Sequence, residues 1–339
     1  MSERLAALVA LVCFAALVLW ALVTGGKLGD SDQGRIAFQI ATGSTEGVYF
    51  PVGQAMSTLI SHPPGVGRCD TATVCGPAGV ILSARTSQGA SDNLRDVNAG
   101  TVDSGFADGD LIAAAVNGQA GFRRKAAHLR VIAALFSEDL HLVVAAKSGI
   151  AGVGDLRGKR LYLGAADSGG GVRVRAVLAA YGVDRVRIVA PGGAAPDQML
   201  RDGKIDAYFS MVGVPFESVK ALIARGVARL APIDGEGRDR LVKMVPQLAP
   251  AVIPAGAYPG SGAVQTVSTH AYWVTRDSEP DALIYGVTRA LFNPANRPEL
   301  EASHPSAHDI VLNGAAANPP APLHKGAERF YREAGALPQ

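Results

Sequence analysis

Residues 35–60, RIAFQIATGSTEGVYFPVGQAMSTLI, set the pattern for the chain. Arg35–Ala41 is a short, mostly apolar run, which suits a strand buried in a sheet. It leads into the Gly-, Ser- and Thr-rich loop TGSTEGVYFP, and from Val52 to Ile60 apolar residues return at helical spacing. The same motif of strand, small-residue loop and helix then recurs. Gly79–Thr86 reads as a strand before GASDNLRDVNAG, a loop and helix; Ser104–Ala107 reads as a strand before a helix over Leu111–Val116. Leu129–Leu135 is a further strand, with a separate β-like run at His141–Ala146. A second unit opens near Ser148. It has strands at Arg160–Leu163, Arg187–Val189, Ile205–Phe209 and Val227–Leu230, alternating with helices at Val172–Tyr181, Ala195–Asp202 and Pro215–Arg225. This alternation predicts mainly parallel sheets covered by helices.

Beyond it, PAVIPAGAYPGSGAVQ (250–265) reads as a long crossing segment, followed by a strand at Thr266–Val274, a helix at Ala282–Phe292 and a short amphipathic C-terminal helix. The 339 residues suffice for two domains, and no repeat of 20–50 residues is visible. The expected organisation is an N-terminal segment at 1–30, a first lobe at 31–143, a second lobe at 144–250, and a return to the first lobe with a C-terminal helix at 251–339.

Composition narrows the function. Hydrophobic residues make up 48% and charged residues 18%, which fits a folded chain with a sizeable core rather than a disordered one. A net charge of +2 without an extended basic run argues against a nucleic-acid partner. Leu5–Val23 is apolar without a break, long enough to span a bilayer core and long for the hydrophobic part of a secretion signal. It is either a cleaved signal peptide or a retained anchor. The expected location is therefore the periplasm, free or tethered to the inner membrane by residues 5–23. Cys69 and Cys75, in GRCDTATVCGP, can form a disulfide in an oxidising compartment or remain two thiols; two cysteines without a nearby histidine are a poor zinc site.

Enzyme signatures are weak. No G-x-x-x-x-G-K-[ST] occurs, the glycines near 168–171 do not complete a dinucleotide fingerprint, and Ser168 is not in G-x-S-x-G. His141, in an apolar run, reads as a hydrogen-bonded strand residue, and His304 with His308 as a solvated turn. The expectation is no catalysis, no cofactor and no metal. Binding chemistry is better represented. TGSTEGVY (42–49), SQGASDN (87–93), ADGD (107–110) and DSGGG (167–171) all follow strands, where α/β sheets bind ligands and helix N-termini offer free N–H groups. Such a loop is either a ligand cradle or ordinary turn and cap chemistry. In the cradle reading, the Ser168 hydroxyl and the N–H groups of Gly169–Gly171 hold a carboxylate without a buried cation.

In order along residues 35–335, IATGSTEGVYFPVG (40–53), SQGASDNLRDVNAGTVDSGFADGD (87–110), HLVVAAKSGIAGVGDLRGKRLYLGAADSGGG (141–171), IDAYFSMVGVP (205–215), VIPAGAYPG (252–260) and PLHKGAERFYREAG (322–335) resemble the TAXI family of solute receptors for tripartite ATP-independent periplasmic (TRAP) transporters. The resemblance implies a type II periplasmic-binding fold, two-lobed α/β with a hinge and a ligand cleft between lobes. It implies a monomeric receptor that delivers a small organic acid or amino acid (glutamate, a 2-oxo acid or a dicarboxylate) to a separate membrane transporter driven by an ion gradient. Carried over by motif, the ligand residues would be Thr42, Gly43, Val48, Tyr49, Ser87, Gln88 and Asn93 in the first lobe, and Ser168, Gly169, Gly170, Tyr208 and Gly213 in the second. The Cys69–Cys75 pair is similar to a disulfide loop of some members. Two positions depart from the family: Asp108, where Gln is common, and Asp167, in a loop that is often Gly-Ser-Gly-Thr. Facing the cleft, these acids would repel a dicarboxylate and favour a ligand with an amino group; otherwise both point to solvent. The chain also fits a membrane-anchored sensory domain whose output needs a partner.

Overall fold

A computed structural model describes residues 35–70, 73–164, 169–189 and 194–338; Leu5–Val23, Asp167 and Ser168 lie outside the described residues. The architecture belongs to the second of two compact units, Ala37–Gln339; nearly all of the first, Met1–Ile36, is outside the described residues. Among the described residues no helix is long and apolar enough to cross a membrane.

The strand–loop–helix motif builds the first half: β1 (Ile36–Ala41), α1 (Tyr49–Ile60), β2 (Val80–Arg85), α2 (Ala90–Ala99), β3 (Ser104–Asp108) and α3 (Gly109–Asn117). α2 and α3 end on Gly100 and Gly118 in the left-handed conformation, where glycine carries no Cβ penalty. β4 (Leu129–Ala145) follows as one continuous strand. The two runs expected there are joined because Ser137–Asp139 continue the ladder against the later strand β10. The second half contains β5 (Arg160–Tyr162), α4 (Gly169–Ala180), β6 (Arg187–Val189), α5 (Pro196–Arg201), β7 (Ala207–Val212), α6 (Glu217–Ala224), β8 (Ala228–Ala231) and α7 (Gly235–Met244). The sequence reading did not include α7.

The supposed crossing segment is a hairpin. β9 (Ala249–Ile253) pairs antiparallel with β10 (Val264–Arg276), so Pro250–Ile253, Val264 and Gln265 carry sheet pairing rather than loop backbone. α8 (Asp281–Leu291), α9 (Arg297–Ser303) and α10 (Lys325–Glu333) complete the chain. His304 is not a solvated turn residue: its Nδ1 accepts from Ser306 N at 3.0 Å, and its Nε2 lies 3.1 Å from the Pro215 carbonyl.

The sheet has ten strands and runs β2-β1-β3-β10-β4-β7-β5-β6, with β8 on β4 and β9 on β10. It is mixed rather than mainly parallel. β1–β3, β5–β6 and β5–β7 are parallel, but the two long strands β4 and β10 pair antiparallel with each other, β10 with β3 and β9, and β4 with β7 and β8. Those two strands serve both halves. Leu129–Phe136 of β4 pack into cores with Phe38, Val52, Ile112 and Trp273, whereas Leu140–Val144 pack into cores with Leu161, Val177, Tyr208 and Val219. Glu138 and Asp139 stand at the change, between the two sets of cores.

α10 returns to the first half, where Tyr331 Oη donates to the Ile132 carbonyl at 2.9 Å. Its Gly326 sits so close to α8 that an added Cβ would lie 2.2 Å from the Asp281 carbonyl, so side-chain-free backbone is what lets the two helices pack. Cys69 and Cys75 are joined in a disulfide, the first of the two alternatives open at the sequence level.

Candidate functional site

β1 and β3 run parallel and end at the same edge of the sheet, where the loops after β1 and β2 and the last residue of β3 meet the end of β7. Between them lies a cavity of about 210 Å3 lined by Gly43, Gly47–Tyr49, Gly89, Ala90, Asp108, Glu138, Ser210–Val212 and Phe216. It is smaller than the roughly 300–1,000 Å3 typical of sites for drug-sized ligands, which suits a small solute. A larger cavity of about 580 Å3 adjoins it, sharing Gly47, Val48 and Phe216, and is lined mainly by α6 and the loop before α1. The smaller one holds the buried ionisable groups.

Those groups form a connected cluster. Tyr49, the first residue of α1, donates its hydroxyl to Glu138 Oε2 at 2.8 Å and sets its ring edge-on to Phe106 and Phe136. Glu138 is 2% exposed and Asp108, within hydrogen-bonding reach of it, 5%. Arg173, one turn into α4 of the second half, crosses to the first half. It donates to Asp110 through Nε at 2.8 Å and Nη2 at 2.7 Å, and its Nη2 lies 3.2 Å from Asp108 Oδ2. Asp108, Asp110, Glu138 and Arg173 are nearly buried and Tyr49 is half-buried, so each charge counts for more than it would in water. Burial, and then the Asp108 carboxylate, push Glu138 well above the usual carboxyl range, and the same two influences, in the same order, raise the Tyr49 phenol. Burial opposes the charge on Arg173, but Asp110 and Asp108 outweigh it and hold the guanidinium firmly protonated.

The opposite wall is neutral, and its anchor is also buried. The Tyr258 hydroxyl accepts from Phe216 N at 2.9 Å and lies 2.7 Å from His141 Nε2, while His141 Nδ1 lies 2.8 Å from the Asp139 carbonyl. This chain of contacts fixes the tautomer, with Nδ1 protonated and Tyr258 donating to Nε2. Burial lowers the imidazole to about 4. His141 is thus the hydrogen-bonded strand residue expected from the sequence.

Of the residues carried over by motif, Gly43, Val48, Tyr49 and Asp108 line the cavity together. Asp108 is buried rather than pointing to solvent. Thr42, Ser87 and Asn93 instead shape its loops. Thr42 Oγ1 donates to the Arg85 carbonyl, and Ser87 Oγ and Asn93 Nδ2 both donate to the Thr42 carbonyl. Gln88 is exposed and lines no wall, and Tyr208 is buried in a core of the second half. Gly213 adjoins the wall where an added Cβ would lie 2.5 Å from Ser306 Oγ. Gly169 and Gly170 open α4, Gly170 does not line the cavity, and Ser168 lies outside the described residues. Sequence reasoning missed Glu138, Asp110, Arg173, Ser210 and Phe216. The one available signal was Glu138, an acid between two apolar runs. Among the described residues no group of His, Cys, Asp and Glu is arranged to hold a metal ion.

The fold is shared with MatC (Rpa3494) from Rhodopseudomonas palustris, solved with bound malate, at a TM-score of 0.53 and 12% identity over 88% of this chain and 98% of that one. XAC2383 from Xanthomonas citri, bound to chloride ion, is similar at a TM-score of 0.45 and 12% identity over 88% of this chain and 96% of that one. CAE31940 from Bordetella bronchiseptica RB50 aligns at a TM-score of 0.45 and 16% identity over 88% of this chain and 98% of that one. The α/β periplasmic-binding fold expected from the sequence is the fold observed. The NMT1-like family model matches residues 40–335, nearly all of the described chain, and the protein belongs to the NMT1-like family.

Proposed function

We propose that this chain is an extracytoplasmic solute-binding receptor that captures a small organic acid or amino acid and hands it to a TRAP-type membrane transporter. The observation that carries the reading is the cavity itself, lined from both halves at the strand ends, with the buried groups Tyr49, Asp108 and Glu138 on one wall and Ser210–Val212 on the other. The six motifs in order, membership of the NMT1-like family and the fold shared with malate-bound MatC support it. In this reading residues 31–143 with 251–339 form one lobe and 144–250 the other, and β4 and β10 are the hinge strands. The motif carried over would add Ser168, Gly169 and Gly170 to the second lobe's ligand contacts. The buried groups are spent on one another and on orientation, which supports binding rather than catalysis.

Native mass spectrometry of protein taken from its own cells, followed by small-angle scattering with and without the solute identified, tests this. A bound small molecule and a smaller radius of gyration with solute are expected. Protein that carries no solute and keeps one scattering profile with every organic acid and amino acid offered would contradict it.

A further inference from the structure

Resting on the receptor reading, we infer a sharper chemical class for the ligand: the cavity takes a molecule with a protonated amine and a single carboxylate, seats the ammonium on Asp108 and Glu138, and rejects dicarboxylates and 2-oxo acids.

Charge counting carries the first part. Among the described residues the lining presents two carboxyl groups and no Lys, Arg or His. Arg173 spends its fork on Asp110 and reaches Asp108 with the remaining contact, while Glu138 accepts the Tyr49 hydroxyl and otherwise meets the Asp108 carboxylate, with no cation of its own among the described residues. Three buried carboxyls therefore share one buried guanidinium. An uncompensated buried charge is expensive, so the cluster lacks a cation, and in its absence Glu138 keeps a proton. A dianion would add negative charge to this wall. An ammonium supplies the missing cation.

The cavity's other features suit the ligand's second charge. It is also lined by Val48–Tyr49 and Gly89–Ala90, where α1 and α2 begin. These helices run 12 and 10 residues, and neither N-cap residue, Val48 or Gly89, supplies a side-chain cap. Their positive ends face the same small space as the acids and can hold a carboxylate. One zwitterion satisfies both sets of groups.

Binding is then an exchange of cations. The incoming R–NH3+ keeps its protons, Glu138 loses its own, and that proton leaves to solvent. The groups facing Glu138 are Tyr49 from α1, Asp108 from β3 and Arg173 from α4, with Asp110 behind the guanidinium. Across the ladder on β10 stands Thr269, which brings no charge. Asp139 points to the other face of the strand, near Asp309.

The test is calorimetric titration of the full-length chain with alanine, leucine and glutamine, each against its 2-oxo acid, and with malate and succinate, in buffers of different ionisation enthalpy. The expected result is that amino acids bind at least tenfold tighter than their 2-oxo acids, release a proton, and bind more tightly at pH 8 than at pH 6. Glu138→Gln, which keeps an acceptor for Tyr49, should abolish proton release and lower amino-acid affinity at least tenfold. Equal or tighter binding of the oxo acids or of malate by the unmodified chain would overturn the inference and leave the receptor reading standing. Amino-acid binding without proton release overturns the exchange. Failure of every probe to bind overturns the inference and the receptor reading together. The measurements on the unmodified chain decide the matter even if the variant does not fold.

Discussion

The two walls of the small cavity are made of opposite materials. The wall from the first half is ionisable: Tyr49, Asp108 and Glu138, buried and linked to one another. The wall from the second half, Ser210–Val212 and Phe216, carries no ionisable side chain and is held from behind by Tyr258 and His141. Among the described residues only Arg173 reaches from the second half into the charged cluster, and it does not line this cavity. The difference separates two tasks. One wall selects a solute by charge, and the other covers it with neutral surface, so that closing over the solute brings no second set of charges to be desolvated.

The contrast is broken most severely at Arg173. Arg173→Met leaves Asp110 and Asp108 without their cation in a buried site and should cost about 3–5 kcal/mol in urea unfolding, with Asp110→Asn in the same chain recovering part of the loss. A loss no larger than an exposed ion pair gives, below about 1 kcal/mol, would show the bridge to be weak or solvated.

The walls should also fail at opposite ends of the pH scale. The raised Glu138 stabilises the fold fully below the ordinary Glu range and progressively less as pH rises through its own elevated value. Asp139, raised to about 6 by burial and then by Asp309, acts in the same direction over the range from 3.8 to about 6. His141, lowered from 6.5 to about 4, stabilises fully above 6.5 and loses its contribution as pH falls through about 4, an effect on the order of 3 kcal/mol. Between pH 4 and 6.5 the Asp139 and His141 contributions run in opposite directions and largely cancel, so unfolding free energies measured from pH 4 to 9 should change little on the acid side and fall on the alkaline side. Glu138→Gln should flatten the alkaline side above the Asp139 range, and His141→Asn should uncover the Asp139 trend, a stability that falls as pH rises from about 4 to 6. An alkaline side unchanged in Glu138→Gln would mean that Glu138 is not held protonated.

On the neutral wall, Tyr258→Phe strands Phe216 N and His141 Nε2 and should cost about 1–3 kcal/mol by the same unfolding assay. Ser210→Ala, on that wall with a half-buried side chain, should change stability by less than about 0.5 kcal/mol. A larger cost would mean that the second wall has structural polar chemistry of its own.

How much of this was legible follows the range of the interactions. β1, α1, β3 and α8 were readable to within a few residues because their burial patterns are local and periodic. The direction of the sheet was not. Alternating strands and helices suggest parallel pairing, but the antiparallel centre depends on β10 inserting between β3 and β4 from more than 100 residues away. The hairpin of β9 was obscured by prolines and glycines, which mark its turn and one edge of the strand rather than a wandering connection. At the site, Gly43, Val48, Tyr49 and Asp108 could be found because they lie in strand-end loops. Glu138 and Arg173 could not be assigned, since their partners are set by contacts across 89 and 63 residues.

The most direct test is a crystal structure of the protein with the solute it carries from its own cells. The account predicts density for one small molecule in the cavity between Tyr49, Asp108 and Glu138 on one side and Ser210–Val212 on the other. A solute bound instead in the larger space beside α6, with only water against Asp108 and Glu138, would contradict it.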